Sequence, residues 1–251
     1  MTPLVGVSSS SLPHASAPEL LHIATRIGAQ CLDLWAGRGE GWDPQLDLIA
    51  ERMPVAFVGV SATLGSGVPA DLTPGVMRVV LKRRIPLRLF VAPLADVAAV
   101  RRFGADVDRL RDTWGPDLRL VVEPHAATPT LALLDEVLAQ HGIGAVVDTL
   151  GLVRLRASIA AARAFLLRHA VAVQVKGLTR RDGTYRHVGL NSTPSLTAWT
   201  LTLIDGAALP VTVETRSGTA AQDIRILRRA LTSHHHPLPV PPEVASCVSV
   251  S

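Results

Sequence analysis

Aromatic residues are scarce, at four Trp, one Tyr and four Phe in 251 positions. That leaves few platforms on which single-stranded nucleic acid could stack. Cysteine is almost absent: Cys31 and Cys247 are too few for a disulfide framework and suit a reducing compartment. Only 18% of residues are charged, and 25 Lys+Arg against 21 Asp+Glu give a net charge of +4. Much of that small excess falls in helix-like stretches, "LKRR" (81–84), "RRFGADVDRLR" (101–111) and "RILRR" (225–229). These read as solvated helix faces rather than a nucleic-acid patch. No apolar run approaches the ~20 residues that span a bilayer. The opening "MTPLVGVSSSSLPH" lacks the basic and apolar regions of a secretion leader. The expectation is a cytoplasmic protein that binds neither nucleic acid nor membrane. What the chain does have is 48% hydrophobic residues, enough to bury a full core.

Those apolar residues alternate between two patterns. Short Val/Leu runs occur at 4–8, 31–35, 54–63, 87–93, 118–125, 144–150, 169–178 and 209–215. Longer helical patterns follow them at 17–29, 44–53, 73–84, 96–114, 128–142, 157–169, 192–206 and 220–233. Ser16 is placed to cap the first helix. Near-continuous apolar strands suit a parallel sheet covered on both faces. Eight such units in one chain predict a single α/β domain, a (β/α)₈ TIM barrel over residues 1–233. The alternative is a doubly wound open sheet, but no GxGxxG follows the first strand. Residues 234–251 form a Pro/Ser-rich tail, and its His234, His235 and His236 are expected to have no native role.

Several strands end on polar residues that share a face with buried ones, because side chains alternate across a strand. Glu123 and His125 share a face with Val121, Asp148 with Val146, Gln174 and Lys176 with Ala172, and Glu214 with Thr212. Asp33 and Trp35 lie together in "CLDLW". One such residue is accounted for by a helix cap; four strands doing so points to a common site at the C-terminal end of the barrel. Three carboxylates converging there repel one another and need a cation, shared protons or basic partners. A divalent metal of the Mg²⁺ or Mn²⁺ kind meets that need. Neutralisation by Lys176, His125 and an arginine is the other way to meet it.

In the order and spacing of these motifs the chain resembles the sugar phosphate isomerase/epimerase family, with its xylose isomerase-like barrel. "VGVSSSSLP" with "ELLHIATRIGAQCLDLW", then "LVVEPH", "VVDT", "VQVKG" and "VTVET", carry the resemblance over about residues 4–231. It implies one divalent metal held by Glu123, Asp148, Gln174 and Glu214. It also makes Glu123 and Glu214 an acid/base pair, with the metal, or else Lys176 and His125, stabilising an oxyanion. The chain departs from the family pattern in three places. Gln174 stands where a histidine ligand is usual, Gly177 replaces an aspartate, and the histidine that commonly follows the sixth-strand aspartate is missing near Leu150 and Gly151.

Other residues have two readings each. Ser8 and His14 line the pocket or satisfy turn backbone. Trp35 is a substrate wall or rim packing. Trp42 is a lid residue or loop packing. Arg180, Arg181, Arg186 and His187 follow the seventh strand in a turn-bearing loop, where Arg186 is the expected substrate contact. The resulting expectation is an isomerase or epimerase acting next to a carbonyl on a small sugar-like or polyol substrate. A homodimer is left open as a partner. The alternatives are lyase, cyclase or dehydratase chemistry without metal, an apurinic-site endonuclease, and a non-catalytic binding protein. The endonuclease reading is disfavoured because most of the histidines of its three-zinc cluster are missing.

Overall fold

Valine- and leucine-rich segments bounded by turns form the barrel. The computed structural model describes residues 3–12, 16–67, 72–124, 130–232 and 248. Strands β1 (Val5–Ser8), β2 (Leu32–Trp35), β3 (Val55–Leu64), β4 (Leu87–Val91), β5 (Leu120–Val122), β6 (Gly144–Asp148) and β7 (Ala170–Val175) run parallel, each beside the next. A hairpin, β8 (Gly177–Arg181) and β9 (Thr184–Val188), follows them. Strand β10 (Val211–Val213) then pairs with both β7 and β1 and closes an eight-stranded barrel. This is the expected (β/α)₈ architecture.

Helices α1 (Ala17–Arg26), α2 (Leu46–Arg52), α3 (Pro74–Arg83), α4 (Val97–Trp114) and α5 (Leu131–His141) alternate with the strands. Helices α6 (Thr149–Arg154), α7 (Ile159–His169), α8 (Pro194–Ile204) and α9 (Ala220–Thr232) complete the chain. Ser16 caps α1 as expected by accepting from the Glu19 amide, and Asp96, Thr130 and Ser158 do the same for α4, α5 and α7. Among the described residues, no helix is long and apolar enough to cross a membrane.

A large apolar shell lies between strands and helices, and a second, small cluster of Ala56, Phe57, Val121, Val146 and Ala172 plugs the barrel interior. Two residues further along three of these strands, the same inward alternation reaches Glu123, Asp148 and Gln174. The barrel therefore changes from apolar to charged along its axis.

Three elements differ from the sequence expectation. Strand β5 is only three residues long, so Glu123 stands just beyond its end. Strand β6 stops at Asp148, whose side chain accepts from the Gly151 amide and turns the chain into the unanticipated α6. The turn-bearing loop expected after β7 is an antiparallel hairpin. Its Asp182-Gly183 corner has φ of 50° and 75°, the two positive angles that a tight hairpin turn requires. Trp42 is completely buried in the core, which removes both its lid reading and its exposed-loop reading. Cys31 is a buried free thiol that burial pushes up to about 12, so it is unreactive packing. Of the tail, only Val248 is described.

Candidate active site

The strand ends bring three carboxylates around one ammonium. Lys176, one residue past β7, places Nζ 2.5 Å from Asp148 Oδ2, 3.1 Å from Glu214 Oε2 and 3.8 Å from Glu123 Oε1. All four side chains are buried. Glu214 follows β10, so Lys176 is flanked by carboxylates from the strands on both sides of its own. The common centre expected from strand parity is present.

Gln174 serves a different neighbour. Its Nε2 donates to Asp33 Oδ2 at 3.3 Å, reaching from β7 to β2. Asp33 is fully buried, and this amide joins Thr212 and Ser8 in favouring its charged form. Trp35 is fixed by its indole N–H, which donates to Ser61 Oγ at 3.1 Å. Ser8 caps a short 3₁₀ turn and shares a 2.8 Å hydroxyl contact with Ser10. Ser10 donates in turn to Glu214 Oε1 at 2.9 Å. Both readings of Ser8 therefore hold, because it also lines the pocket.

A cavity of about 170 Å³ opens over this centre. Sequence alone does not single out three of its cations, Arg88, Arg154 and Arg216. Arg88 points inward from β4, with Nε 3.6 Å from Glu123 Oε2. Arg216 adopts a left-handed backbone (φ 50°) two residues past Glu214 and folds back onto its carboxylate. A glycine in the middle of β3, Gly59, was the one available signal for Arg88. It is paired in register with Arg88, and such a glycine marks a close approach. On the hairpin, His187 lines the cavity and its Nδ1–H donates to the Glu214 carbonyl at 2.8 Å. Arg186, one residue earlier, lies on the opposite, exposed face of β9 and does not line the cavity. His14 and His125 lie outside the described residues.

Burial and charge act against each other here. Burial pushes Asp33 up to about 6, with Glu214 adding to it. Burial also lifts Asp148 to about 7, even with Lys176 beside it. Burial would raise Glu214 too, but Lys176 and Arg216 outweigh it and pull the group down to about 2. For Lys176, burial opposes the charge, yet Asp148, Glu214 and Glu123 hold the ammonium well above its ordinary value. Burial lowers His187, which keeps the ring neutral with Nε2 as its acceptor nitrogen.

The resemblance implies a divalent metal, and the donor set does not fit one as it stands. The ammonium of Lys176 stands between the carboxylates that would be ligands. Asp148 Oδ1 is committed to capping α6, and Gln174 turns to Asp33. Among the described residues, no group of three or more His, Cys, Asp or Glu is placed to hold an ion.

No family model and no curated protein matches the sequence. Solved structures do match the fold. An L-ribulose 3-epimerase aligns over 94% of this chain and 100% of its own, with TM-score 0.64 at 12% identity. The 3-keto-D-glucoside 4-epimerase of E. coli aligns over 91% of this chain and 98% of its own, with TM-score 0.64 at 12% identity. Endonuclease IV from Thermus thermophilus aligns over 91% and 99%, with TM-score 0.58 at 13% identity. The chain has the (β/α)₈ barrel fold that these two epimerases and this endonuclease share.

Proposed function

We propose that the protein is an isomerase or epimerase that moves a proton at a carbon next to a carbonyl in a small polyoxygenated substrate. In this reading Lys176, not a divalent metal, holds the oxyanion. The observation that supports it is the Lys176 ammonium centred among Asp148, Glu214 and Glu123 at the mouth of the barrel. A fixed positive charge placed where negative charge develops lowers the barrier without reorganisation at the moment of reaction.

The carboxylates then take different roles. Glu214 is tied to both Lys176 and Arg216 and serves to keep the ammonium charged and in place. Glu123 has looser partners, at 3.6 and 3.8 Å, and is the group that takes the proton from carbon and returns it. Returning it to the neighbouring carbon gives isomerisation; in epimerisation water delivers a proton to the other face of the same carbon, and Glu123 releases the first proton to solvent. Neutral His187 offers an acceptor to a substrate hydroxyl. No proposed step runs through a metal. A cavity of about 170 Å³ suits a small molecule, since a benzene-sized ligand fills an engineered cavity of about 150 Å³. A nuclease reading gains nothing from the cavity, where the only histidine among the described residues is His187.

The test is deuterium incorporation from D₂O into a panel of small hydroxy-ketones and keto-acids, followed by NMR with and without chelator. Exchange that persists in chelator and is lost in Glu123→Gln is the expected result. Absence of exchange in the whole panel, or its abolition by chelator, would overturn the proposal. A new unsaturated product would instead mark an elimination, which begins with the same proton removal.

A further inference from the structure

We propose that Arg88 anchors a carboxylate of the substrate, so that the pocket takes a small oxo- or hydroxy-acid rather than a neutral sugar. The inference rests on the reading of this pocket as the reaction site and names its substrate class.

Arg88 is 4% exposed, and its Nε and Nη1 are buried without a hydrogen-bond partner among the described residues. Glu123 Oε2 at 3.6 Å is within ion-pairing range but too far for a hydrogen bond. A buried charged donor left in this way is costly, and a chain keeps one where an acceptor arrives from outside. The guanidinium is also held in one orientation. It stacks over the Phe90 ring at 4.4 Å and lies 5.4 Å from the Trp35 ring centre. It rests against Gly59, where an added Cβ would lie 2.5 Å from Nη2 and 2.7 Å from Cζ. A planar fork fixed in this way matches the two oxygens of a carboxylate. Arg216 and Arg38 also approach Trp35, at 5.7 and 4.4 Å, so three guanidiniums surround one indole and draw in an anion.

The placement also suits the chemistry. Glu123 lies between Arg88 and Lys176, within 3.6 Å of one and 3.8 Å of the other. An acid with its carboxylate on Arg88 and its 2-oxygen toward Lys176 presents the adjacent C–H to Glu123. Anchor, base and oxyanion holder then all stand within reach of one short substrate.

Calorimetric titration of the full chain tests this with glycerate and pyruvate as acids. Glycerol and dihydroxyacetone are their neutral counterparts, and inorganic phosphate is a tetrahedral anion. The acids should bind at least about tenfold tighter than the neutral compounds. Arg88→Met should erase that preference, and Gly59→Ala, which keeps the arginine but displaces its guanidinium, should cut it severalfold. Equal binding of acids and neutral compounds, tighter binding of phosphate, or a preference that survives in both variants would refute the anchor. If Arg88→Met does not fold, Gly59→Ala alone decides. Deuterium exchange separates the two readings. Exchange into dihydroxyacetone without an acid preference leaves the proton chemistry standing and removes Arg88's role. Arg88-dependent acid binding without exchange in any compound does the reverse.

Discussion

Lys176 Nζ lies 2.5 Å from Asp148 Oδ2, an ion pair between a lysine just past β7 and the last residue of β6. The lysine occupies the space a cation would take, and this gives the first prediction. Lys176→Met leaves Asp148, Glu123 and Glu214 facing one another, and breaking a buried pair in this way costs about 3–5 kcal/mol. The variant should gain a stabilising response to Mn²⁺ or Mg²⁺ that the parent lacks. Thermal unfolding with and without the ion measures both effects. Metal found in the parent after exhaustive chelator dialysis would sink this account of Lys176.

Glu123 and Glu214 should behave differently when neutralised. Glu123→Gln is expected to lower proton exchange by about 10²-fold or more with little change in melting temperature. Glu214→Gln removes a partner from both Lys176 and Arg216 and should lower stability as well as exchange. Exchange rates and melting curves of the two variants, compared side by side, test this split. Equal stability losses would remove it.

Asp135, on α5, pairs with Arg168 and His169 on α7, both at 2.6 Å. Burial alone would raise its carboxyl, but Arg168 and His169 outweigh that and hold it below its ordinary value. A carboxyl lowered in the folded state adds stability above its unfolded pKa of about 4, and that stability is lost as pH falls through the folded value. Asp135→Asn should therefore be less stable than the parent at pH 7, with a smaller gap at about pH 3, below the unfolded pKa. Urea unfolding at the two pH values measures it, and a gap that widens in acid contradicts the assignment.

Asp223 on α9 is completely buried and accepts from the Leu190 amide, Thr215 Oγ1 and Thr219 Oγ1 at 2.9, 2.8 and 2.6 Å. It fastens the end of the β8–β9 hairpin to the loop after β10. Asp223→Ala should cost about 3 kcal/mol or more, since each bond to a charged group is worth about 1.5–3 kcal/mol. A loss under about 1 kcal/mol in denaturant titration would show that the network is dispensable.

The architecture is legible because strand and helix periods differ and parallel strands read as apolar runs. The charged centre is legible for a related reason: parity places Glu123, Asp148, Gln174, Lys176 and Glu214 on inward faces. Parity fails for Arg88, because "LRLFV" is apolar around the arginine on both faces of β4 and nothing local says which face is inside. It fails for Arg216 because the turn that folds it back depends on a left-handed residue, not on a period. On the hairpin a single step of register separates exposed Arg186 from His187 in the cavity, and a loop reading has no register at all. The role of Lys176 needed distances. Residue types alone leave open whether carboxylates share a metal or an ammonium.

Gly59 and Arg88 also constrain the order in which the chain can change. With any Cβ at position 59, the guanidinium has no room in its present place, so an arginine arriving first at position 88 would be forced out of it. A glycine arriving first merely leaves a small gap. A side chain restored at position 59 while Arg88 remains would move the guanidinium from where it now lies. The two positions are therefore interdependent: the glycine at 59 sets where the buried cation sits.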